Sequence, residues 1–173
     1  MVNIILKDAI SPAGRIIIKR LKWFTGLSFL AMLFAAYLVY LHFEPTSDAP
    51  CNINEYLNCD VVNRSSYSEI LGIPVAIIGF LAYGFFFLMG RALYKKFRFT
   101  KWHRALIAHN LYWLLLILLA IGILFCFYLT YIEFFVLQVV CIFCVAQQII
   151  ILINLFLMVS ILRLSSSERK GEL

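Results

Sequence analysis

Five cysteines are the residues best suited to chemistry in this chain, and four of them fall into two pairs. Cys51 and Cys59 have seven residues between them, and Cys141 and Cys144 form Cys141-Ile142-Phe143-Cys144. A thiolate can attack a disulfide and pass the bond on through a mixed disulfide. Cys-x-x-Cys is also half of a zinc site, which four thiolates can complete. Alternatively, Cys51–Cys59 is a plain staple closing a short loop, and Cys141 and Cys144 are small buried apolar side chains. Metal binding is disfavoured, because His42, His103 and His109 lie away from the motif and no polar ligand surrounds it. Exchange is favoured where Cys-x-x-Cys opens a helix. The unpaired N–H groups and the dipole there stabilise the first thiolate.

The elements that position these thiols follow from composition. Of the 173 residues, 64% are hydrophobic and 14% charged, against roughly 45–50% and 25% in soluble domains. A chain this short cannot hide that much apolar surface from water, which excludes a soluble enzyme, a disordered chain and a nucleic-acid module. Trp23–Phe43 and Ile73–Gly90 contain no charged residue, and Ala105–Leu162 contains only Glu133. A single helix over that last stretch is roughly 87 Å long, far more than a bilayer, so it folds back, with Glu133 marking the turn. Backbone groups cannot go unpaired in lipid, so the spans are helices. Gly72-Ile73-Pro74 places proline in the first turn of the second. The reading is an all-α polytopic bundle of four transmembrane helices. It comprises a basic segment 1–22, span 23–43, outer loop 44–71, span 73–94, basic loop 95–104, spans 106–130 and 135–162, and tail 163–173.

Charge gives orientation. Fourteen of the fifteen Lys and Arg lie before the first span, between the second and third, or after the fourth; Arg64 alone falls on the other side. The positive-inside rule then puts both termini in the cytoplasm and loop 44–71 outside. The net charge of +6 therefore reports topology and not a nucleic-acid partner. The first apolar stretch is too long for a signal peptide and is expected to be retained. The run Ile16-Ile17-Ile18 among basic residues suits a short amphipathic helix on anionic lipid.

On this topology both cysteine pairs lie on the outer side, where compartments permit disulfides. The Cys-x-x-Cys falls six to nine residues into the fourth span, about 9–14 Å deep. A loop pair can meet a soluble partner and a membrane-embedded pair can meet a lipid-soluble electron acceptor.

Residues Cys59 to Tyr83 (CDVVNRSSYSEILGIPVAIIGFLAY), with Ser65-Ser66-Tyr67-Ser68, Gly72-Ile73-Pro74 and a Cys-x-x-Cys opening the last of four helices, resemble the vitamin K epoxide reductase family in its bacterial or archaeal form. The resemblance covers about residues 20–162. It implies that Cys51 exchanges with a partner's thiol, that Cys59 attacks Cys141, and that Cys144 is the thiolate reducing a quinone, ubiquinone or menaquinone. It also implies a half-helix over Asp60–Leu71 capping the site, with Ser65 and Tyr67 at family positions and Tyr83 on the second span near the quinone. The partner is expected to be a separate thioredoxin-like protein on the outer side. Disulfide formation in exported proteins is the implied purpose. The implied location is the inner (plasma) membrane with the site facing the periplasm or exterior, or the ER membrane in a eukaryotic host. Members that reduce vitamin K epoxide carry an asparagine and a tyrosine against the naphthoquinone. Here Gln148 stands four residues after Cys144 and no asparagine lies near Gly79–Tyr83, which favours plain quinone reduction. Epoxide reduction is the alternative. DsbB-type quinone reductases share the chemistry but carry Cys-x-x-Cys in the first outer loop. A metal-binding or structural bundle is the alternative of another class.

Among other polar residues, Gln148 shares a helix face with Cys141 and Cys144, suited to a quinone carbonyl or to an interhelical hydrogen bond. Gln147 and Asn154 suit packing, and Gly79, Gly84 and Gly90 suit close helix approach. Cys126 reads as a buried bystander. Glu133 reads as a hairpin cap in preference to a proton acceptor near a quinone. Asn63-Arg64-Ser65 matches a glycosylation sequon and reads as chance. The terminal Lys170-Gly171-Glu172-Leu173 resembles a retrieval signal on the wrong side of the membrane.

Overall fold

The structure is a computed structural model and describes residues 11–44, 50–97 and 105–171. Lys7, Arg98, Lys101, His103, Arg104 and the last two residues of the terminal tetrapeptide lie outside the described residues.

Helix α1 runs from Pro12 to Phe43, opened by Ser11, whose hydroxyl accepts the Gly14 N–H at 3.0 Å, and by proline in the first turn. Its 32 residues extend about 48 Å, longer than a hydrocarbon core of about 30 Å. From Pro12 onward the basic segment is therefore the first turns of α1 itself and not a separate surface helix. No helix breaker separates the two stretches. Arg20 Nη1 donates to the Ser160 carbonyl at 3.2 Å and ties this end of α1 to the fourth span.

Beyond α1 the connecting segment holds the short helix α2 (Cys59–Asn63), a 3-10 turn (Ser66–Ser68) and a two-stranded antiparallel ribbon. Strand β1 is Glu69–Ile70 and β2 is Ile73–Pro74, joined by Leu71 and Gly72 at φ +53° and +77°. Both central residues are left-handed, the geometry of a type I′ hairpin. The half-helix expected over Asp60–Leu71 is thus five residues long and starts one residue earlier. Serine hydroxyls end it by bonding local carbonyls. Ser65 Oγ donates to Val62 at 2.9 Å, and Ser68 Oγ lies 2.7 Å from both the Asn63 and Ser65 carbonyls. Such bonds compete with continued helix.

Helix α3 (Val75–Phe97) begins after Pro74, which closes β2 and does not enter the first helical turn. Helix α4 (Ala105–Tyr131) continues as a π-helical turn over Ile132–Leu137, and α5 spans Ile142–Gly171. The chain therefore reverses at Gln138–Cys141 and not at Glu133. The expected marker failed because Glu133, only 4% exposed, points into the bundle. Among the described residues four helices are long and apolar enough to cross a membrane.

Helix α1 packs most extensively on α3 and next on α5, and α5 packs on α4. At Gly90 a side chain would lie 2.6 Å from Thr25 Oγ1 and 2.9 Å from the Phe24 ring, so glycine is what lets α3 approach α1 there. Buried Asn154 of α5 donates to Ser28 Oγ of α1 at 3.2 Å. Helices α3 and α4, though consecutive, are not among the closely packed pairs. The space between them is where the site forms.

Candidate functional site

The site is built by docking the loop between α1 and α3 on the α4–α5 turn. Leu57 bridges Val140 in parallel, with Val140 N–H donating to the Tyr56 carbonyl at 2.8 Å and Asn58 N–H to the Val140 carbonyl at 3.2 Å. This register brings Cys59, two residues past Leu57, beside Cys141, one past Val140. Asn54 Oδ1 accepts the N–H groups of Tyr56 and Leu57 at 3.0 and 2.7 Å and fixes the turn into the bridge. Asn58 Oδ1 accepts Val61 N–H at 3.1 Å and caps α2.

Cys51 and Cys59 form a disulfide with Cα atoms 5.8 Å apart, and Cys126, Cys141 and Cys144 are free thiols. Cys51, Cys59 and Cys141 are buried together with Leu38 and Leu41 of α1, with Cys144, Tyr37, Val62, Ala76 and Phe143 packed around them. Cys59 and Cys141 are both 0% exposed. The four paired cysteines thus share one cluster.

Cys141 stands immediately before the first residue of α5, and its Sγ accepts the Cys144 N–H at 3.4 Å. The pair therefore occupies the opening turn of the helix, not six to nine residues inside it. A hydrogen bond from the Cys144 thiol holds the Cys141 thiol below the ordinary cysteine range, although burial works against it. The carboxyl of Glu133 lies close enough to the Cys144 thiol and the Cys141 backbone N–H to interact with both.

Beyond Cys144 lies a cavity of about 440 Å³ between α3, α4 and α5 under the docked loop. Ser65, Tyr67, Tyr83 and Gln148, the residues singled out from sequence, all line it, with Cys144, Cys126 and Glu133. Tyr83 hydroxyl donates to the Gln147 carbonyl at 3.1 Å. Thr130 Oγ1 is 2.9 Å from the Cys126 carbonyl and 3.0 Å from Gln148 Oε1. Gln147 also faces the cavity, and its buried Nε2 has no hydrogen-bond partner among the described residues. Ile78, Ala82 and Phe85 of α3 and Ile121 of α4 line the cavity and are exposed, so it opens sideways between these helices.

Asn63, Arg64 and Thr130 were not distinguished as site residues by sequence. Asn63 Nδ2 donates to the Leu38 carbonyl at 2.8 Å, and Arg64 Nη2 donates to the carbonyls of Leu41 at 3.2 Å and Glu44 at 2.7 Å. Together they clamp α2 to the C-terminal end of α1, whose last carbonyls otherwise lack partners. The one signal available was that Arg64 is the lone Lys or Arg in the segment joining the first two spans.

A disulfide docked on a dithiol beside an apolar cavity, within a four-helix membrane bundle, is the layout of a membrane redox enzyme. The family model for the vitamin K epoxide reductase family matches residues 22–159, and the chain belongs to that family. It is a multi-pass membrane protein and an oxidoreductase of the disulfide and quinone reductase kind. No curated protein matches the chain.

Proposed function

We propose that this protein oxidises the dithiol of a separate thioredoxin-like protein on the outer face of the plasma membrane and passes the two electrons to ubiquinone or menaquinone, sustaining disulfide formation in exported proteins. The partner's dithiol becomes a disulfide as Cys51–Cys59 is reduced through a mixed disulfide at Cys51. Cys59 then attacks Cys141 of an oxidised Cys141–Cys144 pair, releasing the Cys144 thiol, and Cys51 displaces Cys141 from the Cys59–Cys141 mixed disulfide to close the loop disulfide again. This leaves Cys141 and Cys144 as thiols, and their reoxidation reduces the quinone to hydroquinone.

The observation that carries the reading is the Leu57–Val140 bridge, which buries Cys59 and Cys141 in one cluster while Cys144 faces the cavity. The cavity's character supports a quinone as electron acceptor. Its volume, about 440 Å³, is within the usual range for small-molecule sites. Its walls are mostly aliphatic and aromatic, and the orphaned Gln147 Nε2 is a donor that a ligand carbonyl would satisfy. Gln148, Tyr83, Ser65 and Tyr67 supply further polar groups. A quinone is required to accept the electrons. The residues lining the cavity would bind it and keep water away, with Cys144 in the same wall.

The test is disulfide trapping in the native membrane with a parallel quinone assay. Cys59→Ala is expected to retain a thioredoxin-like protein through Cys51 on non-reducing gels. Cys51→Ala is expected to accumulate a Cys59–Cys141 bond, read by mass spectrometry of unreduced peptides. The reading falls if Cys51 never links to another protein and dithiols fail to reduce a short-chain quinone through the purified protein.

A further inference from the structure

Glu133 is the single acidic residue in the 58 residues from Ala105 to Leu162, and it is buried at 4% exposure. Among the described residues it forms no ion pair, and none of those lining the adjoining cavity is basic. A carboxyl placed in such surroundings is costly, so a purely structural cap would be met more cheaply by a neutral side chain. The backbone around it is irregular as well. The π-helical turn Ile132–Leu137 lets the Glu133 carbonyl accept N–H groups from both Gln138 and Val139, and Gln138 sits at φ +55°. A π-turn of this kind is frequent at functional sites. Glu133 lines the same cavity as Cys144, and its carboxyl interacts with the Cys144 thiol and the Cys141 N–H.

Resting on the proposed quinone reduction, we infer that Glu133 is a catalytic proton-transfer residue that takes the Cys144 thiol proton and returns it to the reduced acceptor. The balance closes without another reactant. Cys141 and Cys144 lose two electrons and two protons as their S–S bond forms. The acceptor gains both electrons and both protons as a quinone becomes a hydroquinone. Glu133 carries the Cys144 proton from sulfur to the acceptor oxygen, and the Cys141 proton follows as the disulfide closes. The site is shielded from water by the docked loop, so a fixed carboxyl does what bulk water does elsewhere. The other titratable groups facing Glu133 are Cys126 of α4, Cys141, Cys144 of α5, Tyr83 of α3 and Tyr67 of the outer loop, with Tyr37 of α1 against the cysteine cluster.

The test is single-turnover reduction of a short-chain ubiquinone by dithiol-reduced protein in lipid nanodiscs, under anaerobic conditions and across a range of pH. Glu133→Gln keeps the size and the hydrogen-bond acceptor of the cap. It is expected to slow quinone reduction on the order of 10²-fold, the scale of a lost general base. It should also abolish the fall in rate on the acid side that protonation of the carboxyl produces in the wild type. Glu133→Ala is expected to recover rate with added formate. Reduction of the Cys51–Cys59 disulfide by dithiothreitol, followed by thiol alkylation, should be unchanged in both variants and serves as the folding control. Wild-type rates in Glu133→Gln overturn the inference. So does a slow variant that keeps the acid limb and ignores formate, since that is a structural role. If the wild type itself reduces no quinone, the proposed function fails, and the inference with it.

Discussion

At Gln148, four residues after Cys144, an amide and a threonine hydroxyl meet in the cavity wall. Thr130 Oγ1 lies within hydrogen-bond reach of both the Cys126 carbonyl and the Gln148 side chain, and a hydroxyl has one proton to donate. When that proton goes to Gln148 Oε1, at 3.0 Å, the NH₂ group of the amide stays available to the cavity. The amide is then anchored from α4 while it lines the cavity. Gln148→Leu removes one neutral hydrogen bond, a loss of about 1 kcal/mol. It is expected to raise the KM for a short-chain quinone roughly five- to tenfold and to leave dithiothreitol reduction of Cys51–Cys59 unchanged. Equal KM values for variant and wild type would remove Gln148 from the quinone contacts. Gln147 was legible only as packing, because sequence does not show which of two adjacent amides has a partner. Its neighbour Asn154 does bond across to Ser28, whereas the Gln147 Nε2 does not.

The elements divide by what their signals depend on. The four spans were legible because hydropathy is a summed property of twenty or so residues, and the lengths of α1, α3, α4 and α5 follow from it. The reversal between the last two was misplaced by five residues or more, for a physical reason. Glu133 is the only charge in that stretch, and charge normally marks the water side; here it is spent inside. The residue that does turn the chain, Gln138, adopts a positive φ without being glycine or asparagine, so nothing local announces it. The short α2 was equally hidden, because what seats it is long-range. Arg64 reaches back twenty or more positions to the last carbonyls of α1, an arrangement favoured by the negative end of that helix dipole. Arg64→Ala is expected to lower stability by about 1 kcal/mol, charge-assisted bonds being discounted here for partial exposure. It should also speed amide exchange over residues 59–64. Arg64→Lys should recover only part of this, since the shorter side chain and more strongly hydrated ammonium replace the two N–H groups of Nη2 less well. Unchanged exchange in Arg64→Ala would show that Asn63 and the disulfide hold α2 unaided.

Over the whole molecule, the weak contact between α3 and α4 matters more than any single side chain. It leaves the cavity open sideways past Ile78, Ala82, Phe85 and Ile121, toward the acyl chains and not toward water. The concentration that governs turnover is then the mole fraction of acceptor in the bilayer. Doubling the lipid at fixed total quinone and protein is expected to halve the rate well below saturation. A rate indifferent to added lipid would instead mean access from the aqueous side. On the proposed function the two halves of the reaction would therefore obey different laws of supply: the loop disulfide would sample a soluble partner by three-dimensional diffusion, while the cavity would draw from a pool whose strength depends on how much membrane dilutes it.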